Sequence, residues 1–122
     1  MTKRIMVVED NDLNRKLFCD VLQANGFEPL PVADGGIVLD SARRHSPDLI
    51  IMDIQLPGIS GVDLIEAAKN DARLCSIPVL AVTAFAAKGD EERIRAAGAS
   101  GYLAKPVSIT PFMSAVKKLL PL

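Results

Sequence analysis

Four short runs in this sequence are apolar nearly from end to end: Arg4–Val8 (RIMVV), Asp48–Met52 (DLIIM), Pro78–Val82 (PVLAV) and Gly101–Ala104 (GYLA). None alternates apolar with polar residues, as a strand with one wet face must. At four or five residues they are too short for buried helices. A strand that is apolar on both sides has to be covered on both sides. That requirement is met by a parallel sheet sandwiched between two layers of helices.

The segments between these runs carry helix signals. Asn11 is placed to cap a helix running through Asn25, with Gly26 ending it and Leu13, Leu17, Val21 and Leu22 forming its apolar stripe. Gly36–His45 and Gly61–Asn70 are further helices. Asp90, Glu91 and Glu92 open another, with Arg93 and Arg95 later and Gly98 past its end, an order that suits the helix dipole. Thr110 is expected to cap the last helix, with Pro111 at its first position and Lys117 and Lys118 near its C-terminus. Phe27–Val32 (FEPLPV) reads as a strand weakened by Pro29 and Pro31, hence an edge strand. The expected fold is α/β: a doubly wound, five-stranded parallel sheet, (βα)5. Right-handed crossovers favour the strand order 2-1-3-4-5, a flavodoxin-like arrangement.

A chain of 122 residues suits one domain, here residues 1–122, with one hydrophobic core and no second folded unit. A net charge of -1 offers no case for direct nucleic-acid binding, and no basic block suggests a membrane surface. His45 is the only histidine, and Cys19 and Cys75 lie far apart in sequence. Neither a zinc site nor a Ser-His-Asp triad can be assembled from these. No apolar run is long enough to span a bilayer, and the chain enters its first strand at once without a leader, so a cytoplasmic protein is expected.

In a sheet of this order the strand C-termini share one edge, and ligands bind where the order reverses, between strands 1 and 3. Strand 1 leads into Glu9 and Asp10, and strand 3 into Asp53. Strand 4 delivers Thr83 to the same edge and strand 5 delivers Lys105. Taken singly, each has an ordinary explanation. Asp10 could cap the first helix, Thr83 is a common strand residue, and the lone Tyr102 could simply pack. Together they are a chemical set. Three carboxylates in one crevice repel unless a cation neutralises them, and oxygen-only ligands suit a hard ion such as Mg²⁺. Carboxylate, hard cation, lysine and hydroxyl together fit phosphoryl transfer, with Asp53 forming an acyl phosphate.

The segments VVEDN, LIIMDIQLPGISG, VLAVTAFA and YLAKP resemble the signature segments of bacterial response-regulator receiver domains. The resemblance spans essentially the whole chain. It implies that a histidine kinase or histidine phosphotransferase phosphorylates Asp53. It also implies that Asp10 ligates Mg²⁺ directly, Glu9 through water and Gln55 through its backbone carbonyl, with Mn²⁺ able to substitute. Lys105 would contact the phosphoryl group, and Lys105–Pro106 would be a cis peptide. Thr83 would swing toward the phosphoryl group, with the Ala84 backbone N–H as a further donor, and Tyr102 would turn inward on activation. Gln55 and Phe85 would flank the pocket. The output surface would run from about Ala86 to Leu120 and engage a downstream regulatory protein. Within the family, the segments EDNDLNRKLF, MDIQLP, TAFAAKGDEERIRAAG and LAKPVSI most resemble single-domain regulators, which implies a role in cell-cycle or division control and recruitment to a cell pole by partners.

Kinases would dock on the first helix and on the loop before the last. Because Leu13 and Leu17 fall on the expected core stripe, Asn14, Arg15 and Phe18 are the expected contacts. The rival reading is a phosphatase of the haloacid dehalogenase type, which also combines an aspartate, Mg²⁺, a threonine and a lysine. It needs a second aspartate two residues after the first, where this chain has Gln55, and places its nucleophile after the first motif strand rather than the third. A flavodoxin-like cofactor binder lacks support, since no glycine-rich phosphate motif is present and the crevice is acidic.

Overall fold

The computed structural model describes residues 2–84 and 89–120. The elements alternate strictly: β1 (Arg4–Val8), α1 (Asp12–Ala24), β2 (Glu28–Val32), α2 (Val38–His45), β3 (Leu49–Asp53), α3 (Gly61–Lys69), β4 (Val79–Thr83), α4 (Asp90–Ala97), β5 (Gly101–Ala104) and α5 (Ile109–Leu119). A 3₁₀ turn, Gly35–Ile37, leads into α2. The strands pair in the order β2-β1-β3-β4-β5, all parallel, as the apolar runs require.

Each apolar run serves two cores at once, because successive side chains point to opposite faces. On one face Met6, Val8, Ile50, Met52, Val79 and Ala81 pack with Val38, Ala42, Leu64, Ile65 and Ile94 of α2, α3 and α4. On the other, Ile5, Val7, Leu49, Ile51, Leu80 and Val82 pack with Phe18 and Leu22 of α1 and Phe112, Met113 and Val116 of α5. All residues of β3 and β4 are buried, so these two strands form the centre of the sheet. The prolines of β2 fit the edge. Glu28 N–H donates inward to Lys3 O at 2.9 Å, so Pro29 and Pro31 fall on the alternate positions, which owe the ladder no hydrogen bond.

Two helix expectations need correction. In α1, Leu13 is 79% exposed and Leu17 45% exposed, while Phe18 is buried at 5% and Leu22 at 0%. Phe18 stacks on Phe112 of α5, ring centroids 4.8 Å apart, and this aromatic pair turns α1 so that the Phe18–Leu22 line faces the core. A residue one position away lies about 100° round the helix, which puts Leu17 at the rim. In α5 the N-cap position is Ser108, not Thr110; Phe112 N–H donates to Ser108 O at 3.1 Å. Pro111 is therefore the third helical residue. Any first-turn position tolerates a missing N–H, so proline alone does not mark the first. Asn11 caps α1 as expected, its Oδ1 accepting from Asn14 N–H at 2.9 Å, which leaves Asp10 out of the cap. No described helix is long and apolar enough to cross a membrane. Phe85 and the first residues of the expected output surface, 86–88, lie outside the described residues.

Candidate functional site

β1 and β3 are neighbours in the sheet, and both deliver acid to the same edge. Glu9 follows β1 and is pinned by its own backbone, N–H to Val32 O at 3.1 Å. Asp53 is the last residue of β3. Glu9 is 1% and Asp53 3% exposed, whereas Asp10 is exposed to solvent. Carboxylate oxygens of all three lie within 4.8 Å of one another. The backbone holds the two buried groups in place: Gln55 N–H donates to Asp53 Oδ1 at 3.0 Å, and Asn11 N–H to Glu9 Oε2 at 3.2 Å.

Asp53 is braced from behind as well. Gly61 N–H donates to Ile54 O at 3.0 Å, and a two-residue ladder pairs Gln55-Leu56 with Ile59-Ser60, turning the chain at Gly58 (φ 76°). A Cβ on Gly61 would stand 2.6 Å from Ile54 Cα and 2.7 Å from Asp53 O. Only glycine lets α3 start this close to the strand end that carries Asp53.

Lys105 reaches the acids from the far side of the sheet. Its N–H donates to Thr83 O at 2.8 Å, and the Lys105–Pro106 bond is cis, as the resemblance implied. Its Nζ lies 2.7 Å from Glu9 Oε1 and 3.4 Å from Asp53 Oδ2. The closer partner is thus Glu9, which sequence reasoning did not anticipate. Burial pushes the Asp53 carboxyl up, and its contact with Glu9 adds to this, giving a pKa of about 7 against an ordinary 3.8. Glu9 feels the same burial, but hydrogen bonding to Asp53 and the Lys105 ammonium outweigh it and hold Glu9 below its ordinary value. Burial would lower Lys105, yet Glu9 and Asp53 raise it instead. Near neutral pH Glu9 is therefore held charged, the Asp53 carboxyl lies near its midpoint and Lys105 is held as an ammonium.

This donor set fits a hard divalent cation. Every candidate ligand is an oxygen, the carboxylates converge, and two of them are buried against Lys105. A group that would rather hold a proton than sit as a second buried anion marks an excess of negative charge that a cation would relieve.

Thr83 ends β4 and is buried at 1%. Ala84 follows it and is exposed. Tyr102 pairs with Ala81 in register and Ala104 with Thr83, so Tyr102 and Thr83 share one sheet face. The tyrosine is half-buried, its hydroxyl pushed up by burial and by the nearby Glu91 and Asp90 charges. The Gln55 side chain points its Nε2 into a buried position, without a hydrogen-bond partner among the described residues.

Of the three expected contact residues, the structure separates the roles. Asn14, Leu17, Phe18, Ala84, Lys105, Pro106 and Val107 line an open cleft of about 400 Å³ beside the acids. Phe18 is its floor and not its rim, because its ring is committed to Phe112. The exposed leucines, Leu13 and Leu17, stand where Phe18 was expected. Arg15 faces away from solvent: its Nη1 donates to Glu9 O at 2.9 Å and Asp10 O at 3.5 Å, and its Nη2 pairs with Asp12 Oδ1 at 2.6 Å. Helix side chains lean toward the N-terminus, so an arginine one turn into α1 lies over the loop before it, a signal the sequence did carry.

Comparison with known proteins agrees with this geometry. Residues 5–117 match the model of the response regulator receiver domain. The polar-differentiation response regulator DivK of Brucella ovis is 52% identical over 120 residues, 98% of either chain, and that of Brucella anthropi is equally similar. The chemotaxis response regulator CheY4 of Vibrio cholerae superposes with a TM-score of 0.92 at 25% identity, covering 98% of this chain and all of that one. The receiver domain of sensor histidine kinase PA1611 from Pseudomonas aeruginosa, solved with a magnesium ion coordinated in its active-site cleft, superposes with a TM-score of 0.88 at 31% identity over 98% of each chain. With three acids and a lysine gathered at the switch point of a 2-1-3-4-5 sheet, and matches of this extent, the chain belongs to the response regulator receiver domain family.

Proposed function

We propose that the protein is a phosphorylation-activated signalling switch that accepts a phosphoryl group on Asp53 from a histidine kinase or histidine phosphotransferase. The observation that carries this reading is the convergence of Glu9, Asp10 and Asp53 within 4.8 Å, with Lys105 reaching in from β5. In the transfer a new bond forms between an Asp53 carboxylate oxygen and phosphorus as the donor's nitrogen–phosphorus bond breaks, leaving an acyl phosphate.

The chain's own residues position and discharge this step. The Gln55 N–H holds Asp53 Oδ1 and fixes the carboxylate plane. Lys105 neutralises charge on the phosphoryl oxygens, and Thr83 and the Ala84 N–H donate hydrogen bonds to them. Glu9, Asp10, Asp53 and the Gln55 carbonyl would hold Mg²⁺, or Mn²⁺, which when bound would neutralise part of the negative charge on the phosphoryl oxygens. Movement of Thr83 makes room for Tyr102 on the same face, so the switch selects between two packings of the β4–α4 and β5 region. Without a second aspartate at Gln55 to act as acid and base, hydrolysis of the acyl phosphate is slow. That suits a signal rather than an enzyme's turnover.

The donor docks on the cleft between α1 and the β5–α5 loop, with Asn14 and Leu17 at its rim and the exposed Leu13 on the same helix. Output runs through protein contacts of α4, β5 and α5. Similarity to DivK supports a role in polar differentiation and the cell cycle, with recruitment to a pole through partners.

Mass spectrometry after incubation with acetyl phosphate and Mg²⁺ tests the acceptor. One phosphoryl adduct is expected, absent in Asp53→Asn and in the presence of a chelator. Labelling that persists in Asp53→Asn refutes the assignment. For docking, Leu13→Ala combined with Leu17→Ala should weaken transfer from the kinase without slowing labelling by acetyl phosphate.

A further inference from the structure

We infer that Arg15 is a positioning residue for the cation site and not a surface contact for partners; the inference rests on the reading of the crevice given above. Glu9 and Asp10 lie on a short loop between β1 and α1, and their carboxylates can meet Asp53 only if that loop keeps one course. β1 fixes its start through Glu9 N–H to Val32 O, and Asn11 fixes its end by capping α1. Neither bond holds the carbonyls of Glu9 and Asp10. The Arg15 guanidinium takes both, at 2.9 Å and 3.5 Å, and its other nitrogen is anchored on Asp12 at 2.6 Å. Its side chain is only 21% exposed. A planar fork can bridge two carbonyls and a carboxylate at once, which a lysine cannot.

Charge and geometry make opposite predictions here. A positive charge this close to the loop repels a cation, so an arginine that merely sat there would weaken metal binding, and its removal would tighten it. An arginine that orders the loop does the reverse: its removal lets Glu9 and Asp10 lose their aim, and binding weakens. Outer-shell groups that orient ligands typically change metal affinity by about 10-fold to 100-fold.

The test is a titration of the full chain with Mn²⁺ alone, the free ion followed by electron paramagnetic resonance, above the Asp53 pKa of about 7. Arg15→Met should raise the Mn²⁺ Kd by about 10-fold. Arg15→Lys, with one ammonium in place of the fork, should recover part of that loss. Lys16→Met removes the neighbouring charge, which is paired with Asp20 and points away, and should leave Kd within about two-fold of the parent. In labelling by acetyl phosphate, Arg15→Met should raise the Mg²⁺ concentration for half-maximal rate while the rate at saturating Mg²⁺ stays within about two-fold. A Kd in Arg15→Met equal to or below that of the parent overturns the inference and leaves the proposed function standing. If Arg15→Met does not fold, Arg15→Lys decides, and a parental Kd there overturns it. A parent protein that binds no Mn²⁺ overturns the reading of the crevice itself and this inference with it.

Discussion

Replacing Asp53 by asparagine is expected to stabilise the metal-free protein, and to do so more as the pH rises. The carboxyl has a pKa of about 7 in the fold against 3.8 ordinarily. Between those values the folded state keeps a proton that the unfolded chain has lost, so the wild type loses stability as pH climbs through this window and regains it on acidification. At about 1.4 kcal/mol for each pH unit the full cost above pH 7 is on the order of 4 kcal/mol. This is a ceiling, because the proton is shared with Glu9 and belongs to the pair. An asparagine can keep accepting from Gln55 N–H and can donate to Glu9, so a net gain of about 1 to 4 kcal/mol is expected. Unfolding entropy for a chain of 122 residues is about 0.26 kcal/mol/K, which converts this to a rise of about 4 to 15 °C in Tm. The assay is thermal unfolding by circular dichroism in the presence of a chelator, at about pH 5 and about pH 8. The reasoning fails if Asp53→Asn melts no higher than wild type at the alkaline pH, or if its advantage is the same at both.

The same shift governs metal binding: Mg²⁺ affinity should rise with pH up to about 7 and then level off, with proton release on binding measured calorimetrically. An affinity that does not change with pH would show that Asp53 carries no such proton. Gly61→Ala should cost about 1 to 3 kcal/mol and slow labelling by acetyl phosphate, since a Cβ there meets Ile54 Cα and Asp53 O; urea unfolding and mass spectrometry read the two effects. Phe18→Ala should cost about 3 to 5 kcal/mol through loss of its stack on Phe112. Leu13→Ala, 79% exposed, should change stability by less than about 0.5 kcal/mol in the same unfolding experiment. Equal costs would contradict the orientation given for α1.

Much of this protein is legible in its residues because the signals are local. Continuous apolar runs demand burial on both faces, Asn11 and Gly98 punctuate helices, and Pro29 and Pro31 exclude Phe27–Val32 from the sheet interior. From these alone follow the parallel sheet and its order. The placement of Glu9, Asp10, Asp53, Thr83 and Lys105 on one edge follows too, since each ends a strand or directly follows one and all strands run the same way. What the residues did not carry depends on how elements turn against one another. The stripe of α1 admitted two rotations, and only the stack of Phe18 on Phe112, 94 residues away in sequence, chose the one that exposes Leu13 and Leu17. Lys105 was expected to contact the phosphoryl group, and nothing in the residues pairs it with Glu9; the reach of the Glu9 side chain from β1 brings its oxygen to 2.7 Å, closer than that of Asp53 at 3.4 Å. The Asp53 carboxyl is pushed up to about 7 because the fold takes two carboxylates out of water together. A sequence names ionisable groups, but desolvation and the distance between them are properties of the assembled edge, and those set which of the two stays charged.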